Sequence, residues 1–219
     1  MNNTSPITLT AETFLHHFSI IEIIHEGNSS ITKGENDCER QLSEKGIEQA
    51  KSIGRKQSGG RFDAVFASPL VRAHETARIA TGREDIVTLT SLDVSNDPSD
   101  PINVMSAMLR YAPLGEYFKH ELAEHLRERA RNALSETVAA SGSIQRQDGR
   151  PKVFIGTSGI LQAAIAWAIG EVLAKDGIKS GEDLQMKVLG MKQCEAGVIV
   201  ICFAESSRMV FVSSLEPSI

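Results

Sequence analysis

Apolar residues come in short β-branched runs, separated by stretches in which they recur every three or four positions. The first run holds Ile20, Ile21, Ile23 and Ile24 and ends abruptly in His25-Glu26-Gly27-Asn28. β-Branched side chains suit a sheet covered on both faces, so this run predicts a buried strand, and the polar residues after it predict a turn at its carboxyl end. Phe62 to Ser68 reads the same way, as does Lys152 to Gly156, which runs into Thr157-Ser158-Gly159; Ile86 to Leu89 predicts a shorter strand. Ala196 to Phe203 and Arg208 to Ser214 predict an antiparallel pair joined by a short turn.

Between these runs the period is helical. Leu42, Ile47, Ala50 and Ile53 predict a helix capped by Ser43 and ended by Gly59-Gly60. Ser68 as N-cap and Pro69 at the first helical position predict another, through Arg72, His74 and Arg78. Asp93 to Pro101 reads as loop, Ile102 to Leu109 as helix, and Ala112 to Gly115 as a break. A long helix over Glu116 to Ala140 is predicted by a stripe of Phe118, Leu122, Leu126, Ala130, Leu134 and Val138. Ser141 to Pro151 is a polar linker, and Ile160 to Leu173 a buried apolar helix with Trp167 in the core. Residues 1–18 read as an N-terminal arm packed on the surface, with a short helix capped by Thr10, and residues 19–219 as a single domain. His16 and His17 are adjacent, so they do not share a helical face and point to no metal.

Strands alternating with helices predict an α/β fold, a three-layer α/β/α sandwich around a mainly parallel sheet with an antiparallel edge. Ligands of such sheets bind beyond the carboxyl ends of the strands, where His25, Ser68 with Arg72, Asp93 and Ser158 should converge. A net charge of −5 argues against nucleic-acid partners, and no window approaches the apolar length of a membrane span. Three cysteines, Cys38, Cys194 and Cys202, follow no metal-ligand spacing and suit reduced thiols in a cytoplasmic protein. No cofactor is called for.

Phe62-Asp-Ala-Val-Phe-Ala-Ser68-Pro69-Leu70-Val-Arg72-Ala73-His-Glu-Thr76-Ala77 resembles the strand and Ser-Pro-Leu-x-Arg-Ala-x-x-Thr-Ala helix start of the histidine phosphatase (phosphoglycerate mutase-like) superfamily. Gln41-Leu-Ser-Glu-Lys-Gly-Ile-Glu-Gln49-Ala50 resembles that family's preceding Leu-Thr-x-x-Gly-x-x-Gln-Ala helix, and the resemblance extends over roughly residues 19–213. It implies a phosphoglycerate mutase-like fold and phosphoryl transfer through a histidine nucleophile, with arginines and a second histidine on the phosphoryl oxygens and an acid for the leaving group. His25 then matches the nucleophile, Arg72 the second-helix arginine, and Asp93 stands in for the acid; Asn28 and Ser158 are further phosphate-binding positions, and Ser68 belongs to the pocket.

Three positions depart from the family's pattern. Ile24 stands at the arginine of the Arg-His-Gly motif, Glu26 at its glycine, and Ser158 at the second histidine. Isoleucine donates nothing, Ser158 carries no charge, and Glu26 sets a carboxylate where a dianion is to bind. Loss of one preorganised donor costs about 3 kcal/mol, or ~10² to 10³ in rate. Glu26 instead suits an ion pair with Arg72 or backbone N–H groups. Lys33 is a further cation in the following loop. The expectation is a residual phosphate or anion pocket with phosphoryl transfer lost or weak, for inorganic phosphate or a phosphorylated small molecule, in a chain open to homodimer formation. The alternative is an active phosphomonoesterase working through a phosphohistidine at His25. A third reading, chemistry of another class using His25, Glu26 and Ser158, stays open; a Ser/His/acid hydrolase is conceivable from composition, but Thr157-Ser158-Gly159 lacks a Gly-x-Ser-x-Gly elbow. The rim is expected from residues 28–40 and 93–118.

Overall fold

A computed structural model of the chain describes residues 9–30, 39–57, 61–94, 97, 99–109, 112–142, 144, 149–191, 195–204 and 209–217. Lys33, Cys38, Cys194, Gly59 with Gly60, and Arg208 lie outside these residues.

Six strands form one sheet in the order β3-β2-β4-β1-β5-β6, from β1 (Ile20–His25), β2 (Ala64–Ala67), β3 (Ile86–Thr88), β4 (Lys152–Thr157), β5 (Val198–Ala204) and β6 (Met209–Leu215). The first four are parallel, and β5 and β6 join antiparallel beside β1. Between and around them lie α1 (Ala11–His17), α2 (Glu44–Lys56), α3 (Val71–Thr81), α4 (Pro101–Met108), α5 (Leu114–Tyr117), α6 (Ala123–Ser141), α7 (Gly159–Lys175) and α8 (Lys179–Gly190).

The alternation along β1 divides the core. Ile21 and Ile23 face the large cluster with Phe66, Val153, Ile155 and the apolar sides of α6 and α7. Ile24 faces a smaller cluster with Ile53 of α2, Ala77 and Ala80 of α3, and Phe154. The sandwich read from strand-helix alternation is thus the observed one, antiparallel edge included.

Several elements differ from the pattern-based expectation. α3 begins at Val71 with Leu70 as N-cap, not at Ser68. Ser68 Oγ instead accepts the Leu70 N–H at 3.2 Å, holding the turn that leads into the helix. The predicted helix over 116–140 is split: Leu122 N–H is captured by the His120 ring at 3.2 Å, and regular helix starts at Ala123. Leu126, Ala130, Leu134 and Val138 still form its buried stripe, whereas Phe118 packs edge-on to Trp167, itself only partly buried. The described part of the N-terminal arm does not lie on the surface. Thr10 caps α1 as expected, and Ala11, Phe14, Leu15 and Phe18 belong to the main core. α8 has no counterpart in the sequence reading.

One packing constraint bears on the site and another on the sheet beneath it. α2 is capped by Ser43, whose Oγ accepts the Gly46 N–H at 3.1 Å, and a Cβ on Gly46 would lie 2.1 Å from the Asn28 carbonyl oxygen. Helix and post-β1 loop are therefore in backbone contact. Toward the amino ends of β1 and β4, away from the cavity, Glu22 is buried and paired with Lys152 at 3.1 Å. Burial pushes its carboxyl above the ordinary value while the Lys152 charge and hydrogen bond pull it down.

Gly46→Ala is expected to cost about 1–3 kcal/mol in denaturant unfolding, as overpacking does. A change within the error of the measurement would mean that the loop yields freely. For Glu22 the sign follows from proton affinity: a carboxyl raised in the folded state binds its proton more tightly than in the unfolded chain, so stability falls as pH rises through that window. Lys152→Met removes the compensating charge. It should cost about 3–5 kcal/mol in neutral buffer and less as the pH approaches the ordinary carboxyl value of about 4.3. An equal loss at both pH values would exclude the charge mechanism.

Candidate functional site

His25, the last residue of β1, and Thr157, the last of β4, are register partners, so the two strands release their chains side by side. The loops that follow open onto a cavity of about 540 Å³ lined by His25, Glu26, Asn28, Arg72, Ser158 and Glu195 among others. Arg40 and Asn28 from the first rim segment, and Val94, Asn103, Ser106 and Tyr117 from the second, complete its wall.

The loop after β1 is held by its own backbone. Glu26 N–H donates to Thr157 O at 3.1 Å. Gly27 N–H donates to Thr76 Oγ1 of α3 at 3.0 Å, and Asn28 N–H to Gln49 Oε1 of α2 at 2.9 Å. His25 N–H reaches Gly197 O and Glu26 O accepts from Ala196 N–H, which straps the segment before β5 against the loop. Ala196 takes a positive φ of 54° there, a costly backbone for a non-glycine residue.

The side chain of Glu26 lies across the site. Its Oε1 accepts from Arg72 Nε at 3.3 Å, and its Oε2 accepts from the Gly159 N–H at 3.2 Å, at the start of α7. The same Oε2 lies 3.8 Å from His25 Nε2. Arg72 and His25 are 4% and 8% exposed, so this charge cluster is largely withdrawn from water. A carboxylate held between a guanidinium and a helix N-terminus occupies the kind of place where such donors otherwise hold oxyanions.

Asn28 lines the cavity with both ends of its amide engaged: Nδ2 donates to Glu195 Oε1 at 2.9 Å and Oδ1 accepts from Ser43 Oγ at 2.7 Å. Ser158 is the N-cap residue of α7 but makes no side-chain capping bond. Ser68 and Asp93 are buried but are not among the cavity-lining residues; Val94, the neighbour of Asp93, takes the place on the wall. The expected convergence therefore brings together His25, Glu26, Asn28, Arg72 and Ser158, and leaves Ser68 and Asp93 behind it.

Glu195 is a site residue that the sequence reading did not find. Burial tends to raise its carboxyl, but hydrogen bonds from Asn28 and Gln49 and the charges of Lys45 and His25 outweigh that and lower it. It thus stays ionised beside the site. No grouping of histidine, cysteine and acidic side chains suited to a metal ion occurs among the described residues. No helix there is long and apolar enough to cross a membrane.

Residues 25–98 match the model of the histidine phosphatase superfamily (branch 1). No curated protein matches the sequence. Among solved structures, a candidate alpha-ribazole-5'-P phosphatase from Escherichia coli K-12 is similar at 15% identity and a TM-score of 0.54, covering 90% of this chain and 96% of its own. A phosphoserine phosphatase from Entamoeba histolytica, solved with phosphoserine, is similar at 13% identity and a TM-score of 0.52, covering 91% and 96%. Mycobacterial hydrolase 1 is similar at 16% identity and a TM-score of 0.54, covering 92% and 99%. The chain is thus built on the fold of the histidine phosphatase superfamily, and the stretch from His25 through α3 matches that family's own model.

Proposed function

We propose that the cavity is a residual anion pocket for inorganic phosphate or a phosphorylated small molecule, and that phosphoryl transfer through His25 is lost or weak. One observation carries this reading: the Glu26 carboxylate, held by Arg72 and the Gly159 amide, lies 3.8 Å from His25 Nε2. A dianionic phosphoryl group brought to that nitrogen meets a negative charge instead of a donor. The amides of Glu26, Gly27 and Asn28 are all bonded within the protein, and Ile24 is a fully buried core residue. Phosphoryl transfer rests almost wholly on positioning and charge stabilisation, so losses of this kind act directly on rate. The ligand class is supported by the phosphoserine held by the Entamoeba relative.

A second reading, an active phosphomonoesterase acting through a phosphohistidine at His25, is favoured by the presence of both His25 and Arg72 on one cavity wall. Hydrolysis of p-nitrophenyl phosphate from acid to neutral pH separates the two. The expected outcome is the same background rate for the wild-type protein and His25→Ala. Robust turnover that vanishes in the variant would establish the second reading in place of the first. By calorimetry, inorganic phosphate is expected to bind with a Kd of about 1 mM, near −4 kcal/mol. Arg72→Ala should weaken it about tenfold or more, as loss of a charged donor costs about 1.5–3 kcal/mol. Binding unchanged in that variant would place the anion elsewhere.

A further inference from the structure

Three features of Glu26 distinguish it from an ordinary buried ion pair. Its two oxygens go to unlike donors, Arg72 Nε and the Gly159 amide, both of which commonly hold oxyanions. Both contacts, at 3.3 and 3.2 Å, are longer than the roughly 2.7–2.9 Å of a well-fitted charge-assisted bond. The carboxylate thus stretches across a site that a larger group would fill. Finally, the Glu26 main chain is fixed on both sides, by its N–H to Thr157 O and its O to Ala196 N–H, while its side chain borders the cavity. The side chain can swing out by rotation about its own bonds, with no rearrangement of the loop.

We propose that the Glu26 carboxylate is the resident occupant of an oxyanion site built by Arg72, the Gly159 amide and His25. A tetrahedral oxyanion, free phosphate or a phosphomonoester, then enters only by displacing it. This rests on the anion-pocket reading and adds that the pocket is self-occupied, so the chain sets its own threshold for ligand. A tetrahedral group offers an oxygen to Arg72, another to the Gly159 amide and a third that faces His25, which a planar carboxylate cannot do. An attached carboxylate, however, is present at high effective concentration and holds the site at low ligand levels.

The test is calorimetric titration of inorganic phosphate, with phenyl phosphate as the ester arm, into wild-type protein, Glu26→Gln, Glu26→Gly and the double variant Glu26→Gln/Arg72→Ala. Constant ionic strength is kept throughout, and circular dichroism checks the fold. Both single variants are expected to bind phosphate about tenfold or more tightly than the wild type, a gain of about 1.4 kcal/mol. The double variant should lose that gain. A gain with both ligands supports a site open to esters, and a gain with phosphate alone supports one limited to the free anion. Equal, measurable affinity in wild type and single variants overturns self-occupancy while leaving the anion pocket intact. Absence of binding in every folded protein overturns both. The wild-type chain gives a readout independent of any variant: the Glu26 side-chain carboxyl resonance should shift as phosphate saturates. Its constancy during saturable binding would likewise overturn the proposal.

Discussion

A guanidinium that is almost wholly buried must be answered by an anion. Arg72 sits in the first turn of α3 at 4% exposure, pointing into the space where β1 and β4 end. Its desolvation costs several kcal/mol unless charge and hydrogen bonds offset it. In this chain the answer comes from Glu26, which also ties in the α7 N-terminus through Gly159. The interaction therefore links the loop after β1 to α3 and α7, three of the elements that line the cavity. It also shapes the electrostatic character of the site, because the carboxylate that pairs with the arginine lies 3.8 Å from His25 Nε2.

Around that pair is a second layer that fixes the loop. Gln49 and Thr76 take the amides of Asn28 and Gly27. Thr76 also donates to the Arg72 carbonyl at 2.6 Å, so one side chain bonds both the loop and the helix that carries the arginine. Ser43 caps α2 and holds Asn28, which in turn holds Glu195. These residues account for much of the motif that makes the chain recognisable: Gln49 and Ala50 of one helix, Thr76 and Ala77 of the other. The matched motif is thus in large part a device for presenting the β1 loop. Its presence speaks for the fold; of the three positions that depart from the expected pattern, Ile24 and Ser158 lie outside the matched residues 25–98 and Glu26 lies within them.

This division explains what could be read from sequence. Strands and most helices were legible because β-branched runs and the 3.6-residue stripe report burial directly, as in Ile20 to Ile24 and Leu126 to Val138. His25, Arg72 and Ser158 were legible because strand ends in an open sheet converge, whichever loops follow. Ser68 follows β2 directly but turns back to the Leu70 amide; Asp93 lies beyond a short 3-10 turn, Thr90–Leu92, after β3, where the Arg129 guanidinium bonds its carbonyl at 2.9 Å. The break before α6 depends on a single histidine ring taking a backbone N–H, which leaves no periodic signal. Glu195 reaches the site through a contact 167 residues away in sequence, from a segment with neither helical nor strand period. α8 leaves little periodic signal because its buried face is small, limited to Gly181, Leu184 and Val188, with Gly181 against α7.

The two candidate occupants of the site differ in charge, shape and attachment, and these differences pull in opposite directions. A phosphoryl dianion carries more charge toward Arg72 and has oxygens enough for the guanidinium, the Gly159 amide and His25 together. Glu26 carries one charge and stretches to two donors, but it pays no translational entropy to be there. On the self-occupancy proposal, the apparent affinity for a free anion would be the intrinsic affinity multiplied by the fraction of molecules in which Glu26 has left. On that proposal, the glutamate at position 26 does more than leave the site without a donor. It would act as a tethered competitor that pairs with Arg72 at 3.3 Å and places its negative charge 3.8 Å from His25 Nε2.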